Sequence, residues 1–246
     1  MTIISEDRSS DSPYIETISY GYTAADGTTI RPAEYNWHLI FTREHGRMHP
    51  ILTGPLPTAG VVSWTEGAEI LWIKFKLGTF MPHLPIRTLL DSEITLPNSA
   101  SQSFYLNGSS WQFPTYENVD TFVDRLVREE LVVRDPVVSA ALQDELPDLS
   151  ARTVRHRFLQ STGLTQTYIR QIERARHARD LLIQGKSILD AVDEAGYFDQ
   201  PHMTRALKQW IGYTPAQIIR LHRVCHSVQD TTSTLDYHAS ETEMIV

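Results

Sequence analysis

The stretch from Ser187 to Pro215 constrains the fold more than any other part of the chain. Its first half places apolar residues at the spacing of one buried helix face: Ile188, Ala191, Val192 and Ala195. Ser187 followed by Asp190 resembles a capping box, and Gly196 can supply a left-handed turn. The pattern predicts a short amphipathic helix that ends at a glycine turn.

A second amphipathic helix follows at once. Asp199 can cap it, and Pro201 is tolerable because it lies in the first turn. The apolar stripe consists of Met203, Ala206, Leu207 and Trp210, which leaves an outward face of Gln200, His202, Arg205, Lys208 and Gln209. Amide, imidazole and guanidinium groups suit base edges and phosphates, so the pair of helices is typical of a unit that places one helix in the DNA major groove.

The residues upstream repeat this logic less regularly. Leu149 to Gly163 has Ser150 as N-cap, an apolar side of Ala151, Val154 and Phe158, and a remaining surface of Arg152, Arg155, His156 and Arg157. Its leading helix would be Pro136 to Glu145, followed by Leu146-Pro147-Asp148 in place of a glycine turn. A pair of helices that merely pack therefore stays open as an alternative for this first unit. One long helix from Thr165 to Gln184 would connect the two units, with Tyr168, Ile169, Ile172, Ala175, Leu181 and Leu182 on its apolar side.

The order of these elements, with GYFDQPHMTRALKQWIG and a closing Thr214-Pro215, resembles the DNA-binding domain of the AraC/XylS transcription regulators. The resemblance implies two recognition helices, one with Arg152, Arg155 and His156 toward bases and one with Gln200, Pro201, His202 and Arg205. Lys208 and Arg174 are expected to contribute at the same DNA surface, Arg174 through phosphate. The two helices would enter successive major-groove segments roughly 34 Å apart. Pro201 and His202 depart from the small polar residues or Gln that are common there, so base preference does not transfer.

Charge is distributed unevenly along the chain. Residues 150–224 hold twelve Lys or Arg and six Asp or Glu, a net charge of +6, whereas the whole chain carries −8 and the rest of it therefore −14. A basic segment in an acidic protein favours a nucleic-acid-binding domain beside one that avoids DNA. We accordingly expect a fragment from about Asp135 to His226 to bind double-stranded DNA by itself.

Cysteine usage and the terminal sequences indicate the cellular compartment to expect. Cys225 is the only cysteine, so no intrachain disulfide can form, and the first residues lack the pattern of a signal peptide. No apolar run is long enough for a bilayer. These features predict a cytoplasmic protein without a membrane partner, with a flexible N-terminus at 1–13 and a flexible tail at 227–246.

From Tyr14 to about Pro114 the sequence has short alternating runs broken by Gly and Pro. Strand candidates are Tyr14 to Tyr22, Trp37 to Thr42, Gly60 to Thr65 and Glu69 to Leu77. In the last, Leu71, Ile73, Phe75 and Leu77 share one face. The pattern predicts a small barrel or sandwich over 14–117, followed by a linking helix within 118–134 and the DNA-binding domain at 135–226. The resemblance implies a cupin-like barrel for effector binding or dimerisation.

Four of the five tryptophans lie in this β-rich region: Trp37, Trp64, Trp72 and Trp111. They are candidates for lining a small-molecule pocket, since such pockets are mostly apolar with a few polar groups. Ordinary core packing is the alternative.

Histidines raise the question of a metal site. His38, His45, His49 and His83 accompany Glu44, but their spacing lacks the cupin H-x-H pattern, and EHGRMHP is typical of a polar loop. No nucleophile elbow, phosphate-binding glycine loop or CxxC pair is present, so we expect no catalytic site, no metal and no cofactor.

The sequence thus predicts an α+β protein with a β-rich N-terminal domain and an all-α C-terminal domain that holds two helix-turn-helix units. We expect a sequence-specific transcription regulator under the control of a small-molecule effector, acting as a homodimer or a monomer, with RNA polymerase as a further partner. Two alternatives stay open: a metal-dependent cupin-type enzyme fused to a helical domain, and a constitutive regulator whose barrel only dimerises.

Overall fold

The computed structural model describes residues 3–143, 145 and 149–232. Contacts divide them into two compact units. The sheet unit comprises residues up to 28, 34–57 and 63–166, and the helical unit comprises 29–33, 58–62 and the residues from 167 onward. The division along the chain therefore falls at Gln166, and not at the boundary near 134 that the sequence pattern predicts.

Antiparallel strands build the N-terminal part, as predicted. The largest sheet has the order β1-β2-β7-β4-β5-β9, β10-β11-β12 form a second sheet, and β8 pairs with β13 and β3 with β6. The strands are β1 (Ile3–Arg8), β2 (Ile15–Thr23), β3 (Gly27–Arg31), β4 (His38–Glu44), β5 (Arg47–Thr53), β6 (Gly60–Trp64), β7 (Glu69–Phe75), β8 (Thr79–Phe80), β9 (Glu93–Thr95), β10 (Asn98–Ala100), β11 (Ser103–Leu106), β12 (Ser109–Gln112) and β13 (Val133–Arg134).

Strand β7 lies in the middle of the six-stranded sheet and shows why the alternating pattern was informative. Leu71, Ile73 and Phe75 are buried on one face. Lys74, on the other face, reaches Glu16 at 3.1 Å and Glu34 at 2.9 Å. Burial alone would lower the pKa of Lys74, but the two carboxylates outweigh it and raise the pKa.

The helices are α1 (Val119–Arg128), α2 (Pro136–Leu142), α3 (Ala151–Thr162), α4 (Gln166–Ile183), α5 (Ile188–Glu194), α6 (Gln200–Trp210) and α7 (Pro215–Thr232). The C-terminal part of the chain is thus helical, as expected. Every described helix is too short or too polar to cross a bilayer.

Helix α1 is part of the core of the sheet unit, whereas the sequence suggested a linker. Val119, Phe122, Val123 and Leu126 are buried in one apolar cluster with the inner residues of the sheet. Phe122 lies edge-on to Trp111 with ring centroids 6.1 Å apart. The apolar stripe of this helix therefore completes the core.

Two segments expected to be irregular are strands. Residues 3–8, assigned above to a flexible N-terminus, form β1 and pair with β2 from Ile3–Thr23 to Arg8–Ile18. The EHGRMHP stretch, expected to be a loop, is the tip of the β4–β5 hairpin, where His45 and Gly46 both have positive φ and Glu44 pairs with Arg47. Of the expected tail 227–246, residues 227–232 belong to α7 and the others lie outside the described residues.

Candidate nucleic-acid interface

The α5–turn–α6 unit forms as its cap residues predict. The Ser187 hydroxyl accepts the Asp190 N–H at 3.1 Å at the start of α5. Gly196 adopts φ 68°, and the Asp199 carboxylate accepts the His202 N–H at 2.7 Å at the start of α6. Both caps satisfy amide groups that a helix leaves without partners, so the turn between the helices is fixed at both ends.

Helix α6 separates an apolar face from a polar one. Met203, Ala206, Leu207 and Trp210 are buried, as predicted. The exposed side chains are Gln200, Pro201, Arg205, Lys208 and Gln209. His202 differs from the expectation because it is half-buried, with its ring edge-on to Tyr197 at 5.2 Å between centroids. The exposed face therefore offers amide and cationic groups suited to base edges and phosphates.

Arg174 does not lie free on α4. Its side chain is half-buried, and the guanidinium lies over the Tyr197 ring, 4.4 Å from the centroid. Burial raises the pKa of Tyr197, and the positive charge of Arg174 partly opposes that shift. Arg174 thus contacts the turn before α6, a contact that the sequence pattern does not indicate; the phosphate contact expected for it is a separate prediction. Helical spacing predicts on which helix an arginine lies, but it does not predict which residues of other segments it contacts.

The C-terminal end of α6 is held by residues from far upstream, all within the helical unit. Ala33 donates its N–H to the Trp210 carbonyl at 2.7 Å, and Ala59 donates to Gln209 at 2.8 Å. The Arg176 guanidinium donates to the Ala33 carbonyl at 2.9 Å. Helix C-termini leave carbonyls without partners inside the helix, and here the backbone N–H groups of Ala33, after β3, and Ala59, before β6, supply the donors. Nothing in the sequence around α6 indicates these contacts with Ala33 and Ala59.

The first predicted unit has a different anchor. Ser150 caps α3 by accepting the Thr153 N–H at 3.2 Å, and Gly163 ends it with φ 73°, both as predicted. Arg157, predicted on the surface of α3, keeps 38% of its side chain exposed and donates two hydrogen bonds to Asp135, at 2.9 and 2.7 Å. Ala151, expected on the apolar side, is exposed.

The other cations of α3 remain on its surface. Arg152, Arg155 and His156 are exposed, and Arg155 Nε donates to the Ala151 carbonyl at 3.2 Å. Helix α2 ends at Leu142, three residues before the predicted end. The α2–α3 pair thus presents a polar face on its second helix, as a helix-turn-helix requires.

The sheet unit contains a cavity of about 300 Å³. Tyr20, Phe41, Met48, Leu71 and Tyr116 give it an aromatic and apolar wall. Its charged lining residues are Glu6, Arg43, Glu69 and Glu117, with Arg43 and Glu69 3.6 Å apart. The volume lies at the lower end of the range for small-molecule pockets.

None of the four tryptophan candidates lines this cavity. Trp37 is buried, stacks on Phe75 at 3.9 Å between centroids and donates its indole N–H to the Thr79 carbonyl. Trp111 belongs to the same core. Trp64 donates to the Ala25 carbonyl at 3.1 Å, and Trp72 lies 5.1 Å from the His38 ring. The four tryptophans thus make contacts elsewhere in the structure, and the aromatic residues that line this cavity are Tyr20, Phe41 and Tyr116.

The histidine candidates are dispersed. His38 is buried in β4, whereas His45 lies at an exposed hairpin tip and His49 on the next strand. His83 lies outside the sheet, and partial burial lowers its pKa. Within the described residues, no three His, Cys, Asp or Glu side chains come together in a way that could hold a metal ion.

One comparison with known proteins gave a match. The family model of a helix-turn-helix domain matches residues 148–221, less than a third of the chain. The matched range contains α3 to α6 and the start of α7. It supports an AraC-like helix-turn-helix domain and, with it, a DNA-binding transcription regulator. No curated protein and no solved structure matches the chain.

Proposed function

We propose that this protein is a sequence-specific transcription regulator of the AraC/XylS type. The observation that carries the proposal is helix α6, whose apolar face is buried while Gln200, Arg205 and Lys208 are exposed just after a capped turn. A rigid helix with polar, cationic side chains on its free face is suited to the major groove of double-stranded DNA.

The second recognition surface in this proposal is α3. Arg152, Arg155 and His156 are its exposed candidates, and Asp135 with Arg157 fixes the helix from the other side. The net charge of +6 over residues 150–224 would supply the affinity for phosphate that is independent of sequence. Base contacts from α3 and α6 would supply the discrimination.

The test of DNA binding uses a site selected from random duplexes by the full-length protein. Arg205→Ala should weaken binding to that site by about 1–3 kcal/mol and relax the preference at one base pair, as expected for loss of one base contact. Arg128→Ala is the matched control, since Arg128 is an exposed arginine on α1 in the sheet unit. Equal affinities of wild type and Arg205→Ala, measured by fluorescence anisotropy, would contradict the recognition role of α6.

The sheet unit is proposed to sense a small molecule. The cavity beside Tyr20 and Tyr116 supports this role because it combines apolar walls with a few charged groups. An effector must bind one DNA-affinity state better than the other, with a coupling of about 1–3 kcal/mol. A thermal-shift screen should therefore give hits whose effect Tyr20→Ala removes. Hits that stabilise wild type and Tyr20→Ala equally would place the ligand elsewhere.

A further inference from the structure

Phe198 is the most exposed of the large apolar side chains in the described chain, at 91%. Its neighbours on both sides are fixed. Tyr197 is buried and donates its N–H to the Val192 carbonyl at 2.9 Å, and Asp199 caps α6. The ring of Phe198 is therefore held outward by a rigid turn and does not lie on a loose loop.

Removing a phenyl ring from water lowers the free energy, so binding of a partner that covers Phe198 is favoured. The groups that surround its position indicate the kind of partner. Gln200 and Pro201 in the next turn are exposed, and Arg205 and Lys208 follow on the free face of α6. Helix α6 carries these two cations and no carboxylate, and the carboxylate of Asp199 beside Phe198 is engaged as the helix cap, so this surface suits a polyanion better than an apolar protein face.

We propose that Phe198 contacts the 5-methyl group of a thymine in the major groove and so determines one base preference. The methyl group of thymine is the apolar feature of the base edges in the major groove, and an apolar side chain is its natural contact. The inference rests on the proposed function, because it requires that α6 lie in the groove. It adds a residue that neither helical periodicity nor the count of polar groups identifies.

Leu189 provides a matched control within the same unit. It is 70% exposed on α5, but its neighbours Asp190, Asp193 and Glu194 are exposed carboxylates. Glu194 is paired with Lys186 at 2.6 Å, but the carboxylates of Asp190 and Asp193 still disfavour phosphate, so we expect DNA not to contact Leu189. Phe198 thus precedes a helix without acidic residues, whereas Leu189 lies on a helix with three, and only Phe198 is expected to affect DNA recognition.

The experiment uses the full-length protein and duplexes of a selected binding site in which each thymine in turn is replaced by 2′-deoxyuridine, which removes only the methyl group. Wild type should lose about threefold to tenfold in affinity at one thymine. Phe198→Ala should bind the thymine and deoxyuridine duplexes equally, Phe198→Leu should keep part of the difference, and Leu189→Ala should behave as wild type. Circular dichroism verifies that each variant is folded.

Three results would overturn the inference. Wild type could be insensitive to every methyl group, Phe198→Ala could keep the full sensitivity, or Phe198→Ala could bind the site as wild type does, which would assign the ring to a protein partner. Failure of the proposed function gives a different result, because the wild-type protein would then enrich no DNA sequence at all.

Discussion

Asp135 shows how a single carboxylate can fix a pair of helices. It caps α2 by accepting the Val137 N–H at 2.9 Å, and its oxygens accept two hydrogen bonds from Arg157 and one from the Ser161 hydroxyl of α3. The residue is only 8% exposed, so water cannot replace these donors well. The α2–α3 pair therefore depends on a residue just before the segment that carries the motif.

The first prediction is that Asp135→Ala lowers the free energy of unfolding by about 2–4 kcal/mol, because the cap and the charged hydrogen bonds are lost together. Urea denaturation monitored by circular dichroism measures the change. Arg134→Ala is the control, since Arg134 is exposed beside it, and it should change stability by less than about 0.5 kcal/mol. An Asp135→Ala protein as stable as wild type would show that the contact with Arg157 contributes nothing.

The second prediction concerns Arg174. Because its guanidinium lies over Tyr197, Arg174→Ala should destabilise the protein by about 0.5–2 kcal/mol, and Tyr197→Leu should remove most of the effect of Arg174→Ala. The salt dependence of DNA binding should stay unchanged, since no phosphate contact is lost. A shallower salt dependence of DNA binding together with unchanged stability would instead support the phosphate contact that the sequence suggested.

At the residue scale, the sequence predicted the features that depend on residues close together in the chain, namely helix caps and turn glycines. The caps Ser150, Ser187 and Asp199 and the turn glycines Gly163 and Gly196 are all where local patterns place them. Contacts between distant residues were missed, because periodicity cannot show that Arg174 meets Tyr197 or that Tyr20 and not a tryptophan lines the cavity.

At the scale of elements, β1 is the instructive case. Its sequence, IISEDR, has two apolar residues followed by four polar ones and no alternation, so no pattern predicts a strand. Pairing with β2 and the ion pair of Arg8 with Asp120 at 2.7 Å hold it. The partners in that ion pair are 112 residues apart, a relation that only the folded chain creates. The hairpin tip at His45 and Gly46 was missed for a related reason, because the usual Asn-Gly or Asp-Gly signal is absent there.

The third prediction uses the ionisation of Asp120. Burial by itself would raise the pKa of Asp120, but hydrogen bonds from Ser10 and Arg8 and the charge of Arg8 lower it below its ordinary value of 3.8. A folded pKa below the unfolded one stabilises the protein above about pH 4, and this contribution is lost as the pH falls through the folded pKa.

Asp120→Asn should consequently be less stable than wild type at pH 6, and the difference should shrink as the pH is lowered below about 4. Urea denaturation at a series of pH values measures it. The control is Asp124→Asn, an exposed residue of the same helix. A difference between Asp120→Asn and wild type that is the same at pH 3 and pH 6 would show that ionisation of Asp120 does not anchor β1.

At the scale of the whole molecule, the chain does not divide at one point. Residues 29–33 and 58–62 belong to the helical unit although they lie between strands of the sheet unit. Composition and charge suggested a clean boundary near residue 134, because they average over long windows and cannot detect two five-residue segments. The consequence is that a fragment of residues 135–226 would lack the donors that Ala33 and Ala59 offer to the end of α6. We therefore expect such a fragment to be less stable than the full-length protein, and its DNA binding to be weaker than the charge distribution alone suggests.

The last prediction tests, in the intact protein, the contact between residues 29–33 and the C-terminal end of α6. Gly212 follows α6 with φ 90°, and a Cβ at that position would clash with the Ile30 side chain. Gly212→Ala should therefore destabilise the full-length protein by more than about 1 kcal/mol, through both backbone strain and the clash. In an Ile30→Ala background the clash is relieved and only the strain remains, so the same substitution should cost less, with an interaction energy of about 0.5–3 kcal/mol. Thermal and urea unfolding of wild type, both single variants and the double variant give this energy directly. If Gly212→Ala costs the same in both backgrounds, the Ile30 side chain does not restrict the end of α6, and the hydrogen bonds from Ala33 and Ala59 are then the contacts that hold it.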